Sequence, residues 1–169
     1  MYKSVELVPL QSYAVLMKDW DEEISGFFIA EGKEWILLHD NQNDFMIDGL
    51  RFVHKINIDE ILREEDEVFK EKVRALKYPN LSITHDYNLN NTRELLKQFQ
   101  AEDGLFHFDT DNEEELVVGK IVSVSENDFV IKTLSSTATW SETCSCSFEE
   151  VSSLALANDY LNSLNLLLK

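Results

Sequence analysis

Apolar residues alternate with polar ones in several short runs along the chain, the spacing of half-buried β-strands. Tyr13-Ala14-Val15-Leu16-Met17 is one such run and Leu105-Phe106-His107-Phe108 is another. Each leads into an acidic turn, Asp19-Trp20-Asp21-Glu22-Glu23 in the first case and Asp109 to Glu115 in the second. A glycine-marked apolar run follows each turn, Ile24-Ser25-Gly26-Phe27-Phe28 and Val117-Val118-Gly119-Lys120-Ile121. A short polar turn then leads to a second apolar run, Trp35 to Leu38 or Phe129 to Ile131, which predicts a hairpin. A fourth strand is predicted at Leu50 to Ile56 and at Glu142 to Phe148, and an apolar-acid-acid-apolar tetrad closes each set, Ile58 to Ile61 and Phe148 to Val151. Phe69 and Tyr160 then stand at matching distances. The two series read as two copies of one unit. Their offset is about 93 at the glycines and about 90 at the tetrads, which aligns Cys144 with His54 and Cys146 with Ile56.

Three helices are predicted around the strands. Arg63 to Lys77 carries Phe69, Val73 and Leu76 as an inward stripe, with acidic residues in its first turn and basic ones in its last, as the helix dipole favours. Asn91-Thr92-Arg93-Glu94 has a capping-box pattern ahead of Leu95, Leu96 and Phe99. Asn158 to Leu168 places Tyr160, Leu161, Leu164, Leu167 and Leu168 on one stripe. The expected fold class is mainly β with accessory α-helices (α+β). The expected domains are residues 1–80, a first β unit with its C-terminal helix, and 81–169, a second unit with N- and C-terminal helices. Residues 77–90 read as the connection between them.

A short strand, an acidic turn, a Gly-marked hairpin, a fourth strand and a closing tetrad resemble the small five-stranded barrels of the Sm-like and SH3-like class. The helix at Asn91 to Ala101 matches the N-terminal helix of an Sm-like unit. The tandem arrangement is similar to uncharacterised bacterial proteins. The resemblance implies two tandem Sm/SH3-like five-stranded barrels and, for Sm-like proteins, RNA binding through basic or aromatic loop residues. The corresponding loops here, Asp40 to Asp44 and Ser135 to Ala138, lack Lys and Arg.

Charge narrows the function classes. Fifteen Lys and Arg stand against 32 Asp and Glu, a formal net charge of −17. Such a chain repels a polyanion unless its bases gather on one face, and the same argument weighs against an anionic membrane surface. Two cysteines, Cys144 and Cys146, are too close along one strand for a bridge, so no disulfide framework is expected. The first residues lack the apolar core of a signal peptide, and no run of 18 apolar residues offers a membrane span. These features predict a cytoplasmic protein.

No nucleophile elbow, phosphate loop, dinucleotide fingerprint or HExxH motif is present. Neither cofactor nor metal is expected. Asp40, Gln42 and Asp44 have the spacing of a calcium loop but lack its glycine and final glutamate. His107, Asp109 and Asp111 fall on one face of a regular strand and read as a solvated face. Cys144 and Cys146 read as core thiols. The leading expectation is a non-catalytic protein-interaction module that takes a basic partner on its two acidic turns. Asp19, Trp20, Asp21 and Glu22 supply one surface and Asp109, Asp111 and Glu113 the other. One alternative is an Sm-like nucleic-acid-associated protein with a basic patch near Lys33, Arg51 and Lys55. Another is a hydrolase with a site near His39 and Asp40.

Overall fold

Polar turns between the alternating runs set the strand lengths. In the computed structural model, which describes residues 2, 5–111 and 116–168, the first half forms β1 (Ser12–Met17), β2 (Ile24–Glu31), β3 (Trp35–Asp40), β4 (Leu50–His54), β5 (Ile58–Leu62) and α1 (Glu65–Lys77). The second half forms α2 (Thr92–Glu102), β6 (Phe106–Asp109), β7 (Leu116–Val124), β8 (Asp128–Leu134), β9 (Trp140–Ser147), β10 (Ser153–Leu156) and α3 (Asp159–Leu167). The ten strands join in one antiparallel sheet ordered β5-β1-β2-β3-β4-β10-β6-β7-β8-β9. The described residues are therefore mainly β with three helices, α+β, as the alternation predicts. The sheet is not closed into a barrel. β4 does not turn back onto its own half but pairs with β10 across a seam, Leu50 opposite Leu156 and Val53 opposite Ser153. Among the described residues no helix is long and apolar enough to cross a membrane.

The two halves repeat with a constant offset. Tyr13 faces Gly26 as Phe106 faces Gly119, and Gly26 faces Asp40 as Gly119 faces Thr133. A bulge interrupts β2 between Phe28 and Ala30, and another interrupts β7 between Ile121 and Ser123, 93 positions later. The offset does not drift toward 90. Trp35 faces His54 as Asp128 faces Ser147, so His54 corresponds to Ser147, Arg51 to Cys144 and Val53 to Cys146. The tetrad at Phe148 is not the counterpart of Ile58 to Ile61, because Phe148 begins a 3₁₀ turn, Phe148–Glu150, which corresponds to the turn Lys55–Asn57 after β4.

Both glycines have the same steric cause. A Cβ on Gly26 would lie 2.7 Å from the carbonyl oxygen of His39, and one on Gly119 would run into that of Lys132, the equivalent residue. Each sits where a bulged strand presses against its neighbour's backbone.

Helix caps follow the sequence closely. Asn91 Oδ1 accepts from the Glu94 amide at α2, and Asn158 Oδ1 accepts from the Leu161 amide at α3. The predicted stripes fare less well. Phe69 and Leu76 are 56% and 86% exposed. The inner face of α1 is polar instead, because it serves the edge of β1 and β2. Glu71 Oε1 accepts from the Ser12 amide, Lys70 Nζ donates to Ser25 Oγ, and the Arg74 guanidinium lies over the Phe27 ring. On α3 only Leu161 and Leu164 are buried, while Tyr160 and Leu167 face outward.

The largest buried cluster draws on both halves. Trp35, Leu37 and Phe52 pack with Phe99, Phe106, Phe108 and Phe129. Edge-to-face contacts run from Phe52 to Phe99, from Phe99 to Phe106 and from Phe108 to Phe129. Such pairs add about 0.5–1.5 kcal/mol each beyond the area they bury. A second cluster, around Tyr13, Phe28 and Ile61, belongs to the first half alone. The segment after α1 is pinned to this frame, since Leu89 is buried and its carbonyl accepts from the amides of Glu34 and Trp35.

Replacing Gly119 by Ala forces the β7 and β8 backbones apart. Gly119→Ala is expected to lower the unfolding free energy by about 1–3 kcal/mol, the usual cost of overpacking. Gly26→Ala is expected to act in the same direction. Denaturant unfolding checks both, and wild-type stability in Gly119→Ala would refute the shared steric cause.

Candidate functional site: a cationic groove beside the seam

Alternation along β4 aims Arg51 and Val53 to one face of the sheet and Phe52 to the other. Phe52 joins the aromatic cluster. Arg51 meets carboxylates on either side. Its Nε donates to Asp40 Oδ2 of β3 at 2.9 Å, and one of its terminal amino groups donates to Asp109 Oδ2 of β6 at 2.7 Å. The same group donates to Ser153 Oγ of β10 at 3.0 Å, and the Ser153 hydroxyl donates to Asp109 Oδ2. One guanidinium thus links four successive strands, β3, β4, β10 and β6. This arrangement removes Arg51 from the expected nucleic-acid patch and turns Asp109 from an exposed partner-binding residue into a half-buried part of the seam.

Pairing β4 with β10 also brings equivalent turns of the two halves together at one end of the sheet. The β2–β3 turn, with Lys33 and Glu34, faces the β7–β8 turn, with Glu126 and Asn127, and the 3₁₀ turns carry Lys55, Ile56, Phe148 and Glu149. Between them lies a groove of about 710 Å³, within the usual range for ligand pockets. Lys18 and Arg93 complete a set of four cations with Lys33 and Lys55. Lys18 Nζ donates to the Ile56 carbonyl at 2.7 Å, and Lys55 Nζ pairs with Glu31 at 2.5 Å. Among the described residues neither Lys33 nor Arg93 has a carboxylate within ion-pair distance. Ile56 stands 61% exposed at the groove, which gives it an apolar surface as well.

The groove has a rigid wall. His54 stacks on Trp35 with centroids 4.4 Å apart and planes 8° from parallel. His54 Nδ1–H donates to the Val151 carbonyl of the other half, and Trp35 Nε1–H donates to Thr92 Oγ1. Thr92 spends its own hydroxyl proton and amide on Glu34, both at 2.6 Å, so this carboxylate is committed to the start of α2. Burial holds the His54 pKa below the usual imidazole value, against the pull of the Val151 carbonyl and Glu34.

The other residues singled out by the sequence do not converge on this groove. Asp19 is exposed in left-handed backbone at φ 62°, Asp21 and Glu22 are exposed, and Trp20 is half-buried against the first-half cluster. Asp111 is exposed, and Glu113 lies outside the described residues. The strands carrying the two acidic turns, β1 and β6, are separated in the sheet by β2, β3, β4 and β10. His39 Nε2–H donates to the Ser82 carbonyl at 2.7 Å, while Asp40, the next residue on the strand, turns to the other face and binds Arg51. His107 is buried, not on a solvated face, because β6 lies inside the sheet between β10 and β7. Cys146 is buried as expected, but Cys144 is exposed on the open edge strand β9. Among the described residues no group of three or more His, Cys, Asp or Glu is placed to hold a metal ion.

Comparison with protein families, with curated proteins and with solved structures finds no match to this chain.

His107 gives the seam a measurable pH response. Asn158 Oδ1 is occupied by the Leu161 amide, so its amino group donates to His107 Nε2 at 3.0 Å. That leaves no acceptor for a proton on Nε2. Burial and the nearby Arg51 charge push the His107 pKa down to about 4, against the opposing pull of Asp109 and Asp48. Folded-state depression means that the unfolded chain binds the proton more readily. The stabilisation is complete above the unfolded value near 6.5 and is lost as pH falls toward 4, by about 3 kcal/mol in total. Unfolding free energies at pH 7 and pH 4.5 are expected to show a smaller acid loss in His107→Gln than in the wild type. Equal losses would refute the assignment.

Proposed function

We propose that the chain is a non-catalytic protein-interaction module built from two tandem Sm/SH3-like units, and that its binding surface is the groove beside the seam. The observation that carries this reading is the gathering of Lys18, Lys33, Lys55 and Arg93 around one cavity, against three glutamates there, Glu34, Glu126 and Glu149, in a chain with more than twice as many acids as bases. A concave site with an anchored His54, an exposed Ile56 and two cations that no carboxylate among the described residues pairs suits a segment that carries one or two acidic residues beside an apolar one. Lys33 and Lys55 belong to the basic patch that the nucleic-acid alternative requires. Glu126 and Glu149 interrupt that patch, however, and a net charge of −17 opposes a long polyanion more than a short acidic segment.

Fluorescence anisotropy with labelled peptides that place Leu or Phe between Asp and Glu residues tests the reading. Wild-type protein is expected to bind, and Lys33→Glu with Arg93→Glu to weaken binding by about tenfold or more, since each charge reversal costs on the order of 1 kcal/mol. Charge reversal at Asp19 and Glu22 is expected to leave binding unchanged. Binding of basic peptides that is lost on reversal of Asp19 and Glu22 would favour a basic partner on the acidic turn. Salt-sensitive binding of an oligonucleotide in place of the peptides would favour the nucleic-acid alternative.

A further inference from the structure

The cysteines are the chemically reactive pair that the groove leaves unused. Cys144 and Cys146 point to the same face of β9, and their sulfurs are 3.8 Å apart. Cys144 is exposed, and β9 is the outermost strand of the sheet, with no neighbour beyond it among the described residues. Core packing therefore does not demand a cysteine at 144. The equivalent positions in the first half are Arg51 and Val53, so the pair is peculiar to this edge and is not a relic of the repeat.

The separation decides between two uses of the pair. A disulfide needs Cβ atoms about 3.5–4.5 Å apart. Alternate residues of an extended strand place them at about 6.6 Å. Closing the bridge would collapse the strand. Two thiolates sharing one ion need much less. With metal–sulfur bonds of about 2.3 Å, sulfurs 3.8 Å apart subtend about 110° at the ion, with no movement of the backbone. Two protein ligands are too few for a closed zinc site, and among the described residues no third His, Cys, Asp or Glu completes one. Two soft ligands at this bent angle, with a third position open to a small thiol from solvent, suit a three-coordinate soft monovalent ion.

We propose that Cys144 and Cys146 form a two-thiolate site for copper(I) on the open edge of the sheet. Each thiol releases its proton as its sulfur bonds the ion, copper stays in the +1 state, and no electron is transferred. Cys144 receives the ion from solvent and Cys146 anchors it from the buried side. Copper binding displaces a proton from each thiol, so copper affinity rises with pH.

The test is anaerobic competition of the reduced protein with a chromophoric copper(I) chelator, with stoichiometry read by native mass spectrometry. The expected result is one copper(I) per chain. Cys144→Ser is expected to lose more affinity than the roughly 10–100-fold that removal of a mere supporting contact costs. Cys146→Val, which installs the side chain found at Val53, keeps the core filled and is expected to lose as much. Failure of the wild type to take copper from the chelator overturns the proposal. Retention of full affinity by either folded variant overturns it too, because the two sulfurs would then not share an ion.

Discussion

One guanidinium holds the two halves of this protein in register. Arg51 lies between Asp40 and Asp109 with Ser153 alongside, and these residues come from four consecutive strands. A buried ion pair is a weak source of net stability but a strong source of specificity, since removing one partner strands the others. Here it selects β10 as the neighbour of β4. That choice aligns the halves, buries the row from Phe52 to Phe129, and brings the turns at Lys33 and Glu126 to the same end of the sheet. The groove depends on this pairing.

The outer edges show what the seam would be without that network. β5 and β9 are the repeat equivalents of β10 and β4, yet the residues that make the seam are absent from them. Cys144 and Ser145 stand where Arg51 and Phe52 would be. Leu16 and Glu60 stand where Asp109 and Ser153 would be. β9 is exposed from Ser141 to Ser145, and β5 carries Asp59 and Glu60, which discourage edge pairing. One strand pair in the repeat has thus been made sticky and its counterpart polar. The cysteines occupy the polar one, where accessible sulfur is compatible with the fold.

Much of this architecture is legible in the sequence because it rests on local rules. Alternation marks the strands, Asn91 and Asn158 mark the helix starts, and the two glycines mark equivalent close approaches of neighbouring strands. Features that depend on what lies across the seam are harder to read. Phe69 looks inward by helical spacing, but α1 turns Glu71 and Lys70 to the sheet because Ser12 and Ser25 need partners there. His107 and Asp109 look solvated because nothing local reveals that β10 covers β6. The four groove cations lie at positions 18, 33, 55 and 93, and no motif spacing could have grouped them. Lys33 and Lys55 are visible as a basic patch, but Arg51, nearest to Lys55 in sequence, points into the seam instead.

The most direct measurement of this account is native-state amide hydrogen exchange across the sheet. If the Arg51 network makes β4 and β10 one continuous structure with the rest, the amides of Phe52 and Leu154 will exchange only with global unfolding, as slowly as those of Phe28 and Leu38 in the middle of the first half. Markedly faster exchange at Phe52 and Leu154, with protection retained inside each half, would mean that the halves part on their own and would contradict the claim.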